Sequence, residues 1–218
     1  MLQLDKVVSP SMNIETVSDV FYARTRKRYL YNITAIENIP SIMQIGIVCF
    51  DDACKIKHNS IAINNVQQRR AQKRVTNGLR LHQYANLYFS CRNPMMYYRK
   101  DIADSICVLA VDASVLDIED CVVSDMNAAK DLVRFYPAYE GVGILDFEKI
   151  YARSWIHDGN PLETQNHKAI KCAEVLIPYS IPSSFIRGAY VVSEKAKEKL
   201  EAAGFDRKIV VSPDAFFH

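Results

Sequence analysis

The amino-acid sequence predicts a mixed α+β domain, and three observations carry that expectation. Short apolar runs at Tyr29–Thr34, Leu87–Cys91, Ile106–Val111, Val175–Ile177 and Ala189–Val192 are too brief for buried helices and rich in the β-branched and aromatic residues that suit a pleated surface. Between them stand segments with helix punctuation, such as Asn38-Ile39-Pro40 closed by Gly46 and Ser193 closed by Gly204. No repeat or low-complexity tract interrupts the 218 residues, a length that buries a sizeable core.

In chain order, residues 1–28 are expected to form an N-terminal extension to a domain of residues 29–218. Within the extension, Asn13 or Thr16 can cap a helix through Val17, Phe21 and Tyr22, because either side chain can satisfy a free amide of the first turn. Tyr29–Thr34 alternates as a strand, and Asn38–Met43 opens a short helix that Gly46 stops. A loop from Phe50 to Asn59 leads to a helical segment through Gln67–Gln72. Strands follow at Leu87–Cys91 and Ile106–Val111, then a short helix and a strand within Val115–Val123. Asn127–Phe135 and Phe147–Trp155 are expected to be helical. The late strands precede a helix through Lys195, Lys199 and Ala203, capped by Ser193.

Composition excludes several classes. A hydrophobic fraction of 49% with 24% charged residues is ordinary for a soluble globular protein, and the net charge of +2 does not by itself single out nucleic acid. No apolar run approaches the roughly 20 residues that span a bilayer, and the first residues lack a signal-peptide layout. The six cysteines form no CxxC pair and have no histidine partners at ligand spacing, so no metal site is expected. A monomer with free thiols in a reducing cytoplasm is the expectation.

The chemistry-bearing residues lie in three places. Arg69 and Arg70 form a pair able to hold pyrophosphate through bidentate hydrogen bonds, and Lys73, Arg74 and Arg80 follow with no acidic residue among them. Such a basic run also suits a solvated loop. The aromatic run Leu87-Tyr88-Phe89 ends at Arg92-Asn93-Pro94, where proline stops a ladder. Glu174 stands inside the apolar run Ala173–Ile177 and needs a reason, either an outward position on an edge strand or a functional one.

These residues resemble the DarT family of DNA ADP-ribosyltransferase toxins. Tyr31-Asn32-Ile33-Thr34 followed by Glu37-Asn38-Ile39 and Gly46 is similar to its Tyr-His-Ile-Thr block, Asp-Asn-Leu helix and glycine. Val66–Ala71 resembles the block ending in Arg-Arg, and His82-Gln83-Tyr84, Leu87–Phe89 and Arg92-Asn93-Pro94-Met95 resemble the His-Asp-Tyr, aromatic-strand and Arg-Ser-Pro-Met signature. Ser154-Trp155 and Lys171–Ile177 are similar to the closing block with its catalytic glutamate.

The resemblance implies an ADP-ribosyltransferase-like fold, two packed and mostly antiparallel sheets around an NAD cleft. It implies transfer of ADP-ribose from NAD to thymine or guanine in single-stranded DNA, by a toxin whose partner antitoxin removes the mark. Arg70 and Glu174 take the catalytic positions. Glu174 would stabilise the cation that builds at ribose C1′ as the nicotinamide leaves, and Arg70 would bind pyrophosphate or steady the acceptor base. Asn32, Thr34, Arg69, Tyr88 and Arg92 are the expected NAD-binding residues, with asparagine at position 32 where the family has histidine. Arg74, Arg153, Trp155, His157, Lys168 and Lys171 mix stacking and cationic groups suited to single-stranded DNA. Two other classes stay open at this level: an ADP-ribosyltransferase acting on RNA or protein, and a non-catalytic NAD or nucleic-acid binding module.

Overall fold

A computed structural model of the chain describes residues 15–75 and 78–217. Helix α1 (Val17–Thr25) starts at Thr16, whose hydroxyl accepts from the Asp19 amide while Asp19 returns a bond to the Thr16 N–H. The alternative cap, Asn13, lies outside the described residues. Strand β1 (Tyr29–Ala35) leads to α2 (Ile39–Ile45), β2 (Ile47–Val48), α3 (Phe50–Ala53) and α4 (Asn64–Ala71). Gly46 ends α2 with φ +88°, and a Cβ there would stand 2.3 Å from the Ile181 carbonyl oxygen, so both backbone conformation and space require glycine.

Beyond α4 come β3 (Tyr84–Tyr88), α5 (Pro94–Tyr98), β4 (Ile106–Asp112), β5 (Val122–Ser124) and β6 (Phe135–Pro137). Three helices follow, α6 (Ala138–Ile144), α7 (Phe147–Tyr151) and α8 (Pro161–Ile170). The chain closes with β7 (Glu174–Pro178), β8 (Ser180–Ile181), β9 (Ile186–Val191), α9 (Glu194–Ala202) and β10 (Lys208–Val211).

Eight strands form one sheet in the order β10-β9-β4-β1-β3-β7-β5-β6, and β2 pairs β8 separately. All pairings are antiparallel except β9 with β10. The sheet is two four-stranded halves joined at a single register pair, Tyr31 opposite Tyr88. Beyond that pair β1 and β3 separate, and the Asn32 side-chain amide bonds the Asn86 carbonyl at 3.2 Å in place of a ladder bond. This is how the two expected sheets meet, and it opens a cleft beside Asn32.

Every residue of β4 from Ile106 to Val111 is buried, because both faces of the strand are covered. Cys107, Leu109 and Val111 join the main core, while Ile106 and Val108 pack with Ile33, Met96 and Phe216 on the other face. Phe21 brings α1 into the main core, its ring 5.9 Å from Phe89 and 5.7 Å from Phe147.

Several elements depart from the sequence expectation. The strand anticipated at Leu87–Cys91 starts three residues earlier, at Tyr84, because its pairing with β7 runs from Tyr84 opposite Pro178 to Tyr88 opposite Glu174. Asn127–Phe135 is not helical. Asn127 folds back as a turn, its side chain accepting from the Ala129 amide, and Phe135 begins a strand. The helix through Trp155 stops at Tyr151, with Ala152 extended at its C-cap. The Phe50–Asn59 loop contains the short helix α3. Phe21→Ala is expected to lower the unfolding free energy by about 3–5 kcal/mol, measured by urea titration, since the ring is wholly buried between two others.

Candidate functional site

Helix α4 and strand β7 bring the two expected catalytic side chains together. Arg70 Nη1 donates to both carboxylate oxygens of Glu174 at 2.9 Å. Glu174 is fully buried and Arg70 is 7% exposed. One charge alone at this depth would be strongly disfavoured, so each is held by the other. The carboxylate has a second donor, the Ala128 amide at 3.0 Å to Oε1, and the Glu174 N–H bonds the buried Ser124 hydroxyl at 3.1 Å. Ser124 in turn donates to the Met126 carbonyl, so the turn after β5 is fastened to the glutamate strand.

Two cavities adjoin the pair, and Arg70 lines both. The first, about 190 Å³, lies between β1, α2, the 56–62 loop and α4. Thr34, Asn38, Asn59 and Gln67 supply its polar lining, with Phe50 and His82 as an aromatic wall. Asn38 fastens this wall: its amide donates to Thr34 Oγ1 at 3.2 Å and to the Asn59 carbonyl at 2.9 Å, while its Oδ1 accepts from the Asn59 amide at 2.7 Å. Phe50 and His82 have ring centroids 4.2 Å apart. His82 Nε2 meets Gln67 Oε1 at 3.1 Å, so that nitrogen carries the proton. Burial, and then the charge of Arg70, push the His82 pKa down, which keeps the ring neutral.

The second cavity, about 450 Å³, is bounded by α4, β3, α5 and α8 and is lined by Arg69, Tyr88, Met95, Tyr98, Asn127 and Lys168 among others. Burial and then the Glu174 charge hold the Tyr88 hydroxyl well above its ordinary pKa, so it stays protonated. Cys172 on the same wall is pushed up to about 12, chiefly by burial.

Of the residues expected at NAD, Asn32 lines both cavities, Thr34 the first, and Arg69 and Tyr88 the second. Arg92 does not. Its guanidinium bonds the backbone carbonyls of Asp214 and Phe216 and lies 4.1 Å from the Phe217 ring centroid, because the C-terminal segment folds over it. Of the residues expected at nucleic acid, Lys168 lines the second cavity, whereas Arg74 is exposed outside both and bonds the Gly78 carbonyl. Trp155 packs edge-on against Tyr97 and Phe217. His157 donates through Nε2 to His167 Nδ1 at 2.8 Å, since His167 Nε2 must donate to the Lys149 carbonyl. Arg153 is exposed on the same loop.

Lys171 is the clearest correction. It is 1% exposed, and its ammonium bonds the Ile150 carbonyl at 2.9 Å and the Ala152 carbonyl at 2.7 Å, so burial shuts it away from a phosphate in solution. The sequence reading passed over Asn38, His82, Asn86 and Asn127 as cavity residues. Asn38, as the opener of α2, and His82, within the His82-Gln83-Tyr84 block, carried a sequence signal; Asn86 and Asn127 carried none for a cavity role.

The family model described as ssDNA thymidine ADP-ribosyltransferase, DarT, matches residues 31–217. The chain belongs to the DarT family. A DNA ADP-ribosyl transferase–DNA ADP-ribosyl glycohydrolase fusion protein of Thermosipho africanus is 28% identical over 201 residues, covering 88% of this chain and 50% of that protein. The chain thus spans about half the length of that relative. A DNA ADP-ribosyl transferase of a Thermus species is 28% identical over 182 residues, covering 78% of this chain and 84% of its own length. Among solved structures, Thermosipho africanus DarTG in complex with ADP-ribose has a TM-score of 0.75 at 25% identity, over 88% of this chain and 51% of that one. Thermus sp. 2.9 DarT in complex with ADP-ribosylated ssDNA reaches 0.76 at 24% identity, over 88% and 97%. The DarT fold is therefore that of the present chain.

Two measurements test the site's energetics. Arg70→Ala is expected to cost about 3–5 kcal/mol in urea unfolding by stranding a buried carboxylate, and adding Glu174→Gln should recover much of that loss. Burial also lowers the Lys171 pKa from 10.5 to about 8. Because the unfolded chain then holds a proton that the folded chain lacks, wild-type stability should rise from about pH 8 to pH 10.5 relative to Lys171→Met.

Proposed function

We propose that this chain is an NAD-dependent ADP-ribosyltransferase that modifies a base in single-stranded DNA and acts as the toxin of a toxin–antitoxin pair. The observation that carries the reading is the Arg70–Glu174 pair where two cavities adjoin, in a chain of the DarT family. NAD is the substrate, held by Asn32, Thr34, Arg69 and Tyr88, with the acceptor base brought to the same junction. The family description names thymidine as the acceptor. The fusion of a transferase to a DNA ADP-ribosyl glycohydrolase in Thermosipho africanus supports a partner that removes the mark.

The chemistry needs few groups. The bond between ribose C1′ and the nicotinamide nitrogen breaks, nicotinamide leaves with the bonding electrons, and C1′ becomes cationic. A ring nitrogen of the base then bonds to C1′ and gives up its proton. Glu174 stabilises the cationic stage through its charge and accepts that proton. For this its carboxylate must face the ribose, and Arg70 now covers it. Arg70 uses Nη1 alone for both bonds to Glu174, and the residue lines both cavities. Arriving pyrophosphate or base draws the guanidinium over and uncovers Glu174 Oε2, while the Ala128 amide keeps Oε1 in place.

The test is transfer of label from NAD to a mixed-sequence DNA oligonucleotide, an RNA of the same sequence and a protein lysate. Label should enter only the DNA, and Glu174→Gln should cut the rate on the order of 100- to 1000-fold while NAD affinity changes little. Label in RNA or protein instead would reject the DNA acceptor. Near-normal transfer by Glu174→Gln would reject the catalytic role of the residue.

A further inference from the structure

Helix α5 carries two neighbouring exposed tyrosines, of which Tyr98 lines the second cavity and Tyr97 neither. Tyr97 is 47% and Tyr98 59% exposed, although aromatic rings are ordinarily drawn into the core. Neither stands alone. Tyr97 meets the Phe217 ring edge-on at 5.3 Å and Trp155 at 6.1 Å, and Trp155 and Phe217 are 5.7 Å apart. Three segments distant in sequence therefore converge on one aromatic platform. Arg92 fixes it from behind by holding the C-terminal carbonyls and facing the Phe217 ring, and buried Phe216 anchors the same segment.

Cations border the platform. Lys100 is exposed with its ammonium 5.4 Å from the Tyr97 ring, and exposed Arg153 lies two residues before Trp155. Asp101 is the acidic residue beside Lys100 in the chain and is also exposed. Tyr98, next to Tyr97, lines the second cavity together with Pro94 and Met95 of the same helix. The platform and the second cavity thus share helix α5, and the platform's rings and cations match the bases and phosphates of an extended strand rather than an apolar partner.

We infer that the Tyr97–Trp155–Phe217 platform with Lys100 holds nucleotides of the acceptor strand that flank the modified one. The inference rests on the single-stranded DNA reading above. It explains why Tyr97 is left in water, and it gives Trp155 a stacking role through a cluster that its burial alone did not suggest. A strand held here presents a long acceptor better than a short one, because flanking bases add contacts that a minimal substrate lacks.

The test compares a long mixed-sequence single-stranded oligonucleotide with a trinucleotide pool, by fluorescence anisotropy and by transfer from labelled NAD. Tyr97→Ser should weaken binding of the long strand on the order of 10-fold and leave trinucleotide labelling unchanged, whereas Tyr97→Phe should restore long-strand binding. Lys100→Ala, a surface change that leaves the packing intact, should lower the salt slope of long-strand binding by about one. Unchanged long-strand affinity in both Tyr97→Ser and Lys100→Ala would overturn the inference, and so would an equal loss on both lengths, which marks a disturbed site rather than lost flanking contacts. A wild-type protein that binds the long strand through Tyr97 yet labels no DNA keeps the surface and rejects the proposed reaction. One that binds no DNA rejects the surface, while transfer of label to RNA or protein would still mark an active transferase.

Discussion

The ion pair between Arg70 and Glu174 is the interaction on which the arrangement depends. Taking two charges out of water costs several kcal/mol for each, and the mutual attraction repays this only when the remaining hydrogen-bonding capacity is also met. Here the Ala128 amide meets part of it, and the Ser124 hydroxyl ties the backbone of Glu174 to the turn that carries Ala128. The pair therefore constrains α4, β7 and the turn after β5 together. A well-packed apolar pair would serve stability as well or better, so the charges point to chemistry rather than to folding.

The second constraint is the parting of β1 and β3. A continuous ladder would close the sheet and leave no cleft, but the two strands share one register pair before they separate. Asn32 fills the gap with a side-chain bond to the Asn86 carbonyl. Its departure from the histidine of the DarT pattern thus has a structural use, since an amide reaches a backbone acceptor across the split. One wall of the cleft is the 56–62 loop, and side chains hold it: Asn38 fastens Asn59, and Arg99 bonds the carbonyls of Ile61 and Ala62. A preorganised pocket results without a covering sheet.

Much of the fold was legible because its signals are local. Thr16 and Ser193 are helix caps in the sequence and in space, and Gly46 and Gly204 end helices where expected. The failures have equally definite causes. Helix α6 carries Gly141 and Gly143, a composition that argues against helix, yet Gly141 is required because a Cβ would stand 2.1 Å from Val123. The turn at Asn127–Lys130 is set by the Asn127 side chain and its backbone bond to Ala169, a partner far along the chain. At the site, Arg70 and Glu174 could be named from their flanking motifs. Lys171 and Arg92 were misplaced because a cation's sequence neighbours do not reveal whether it faces water or a set of backbone carbonyls. Lys171 meets Ile150 and Ala152, and Arg92 meets a C-terminal segment more than a hundred residues away.

On the proposed mechanism Arg70 masks Glu174 and substrate removes the mask. The most direct measurement is a crystal structure of this chain with a hydrolysis-resistant NAD analogue bound. In that structure Arg70 Nη1 should have left Glu174 Oε2 for the ligand, with the Ala128 amide still holding Oε1. An analogue seated in the cleft with both Arg70–Glu174 bonds intact, and the carboxylate still shut away from the ribose, would contradict it.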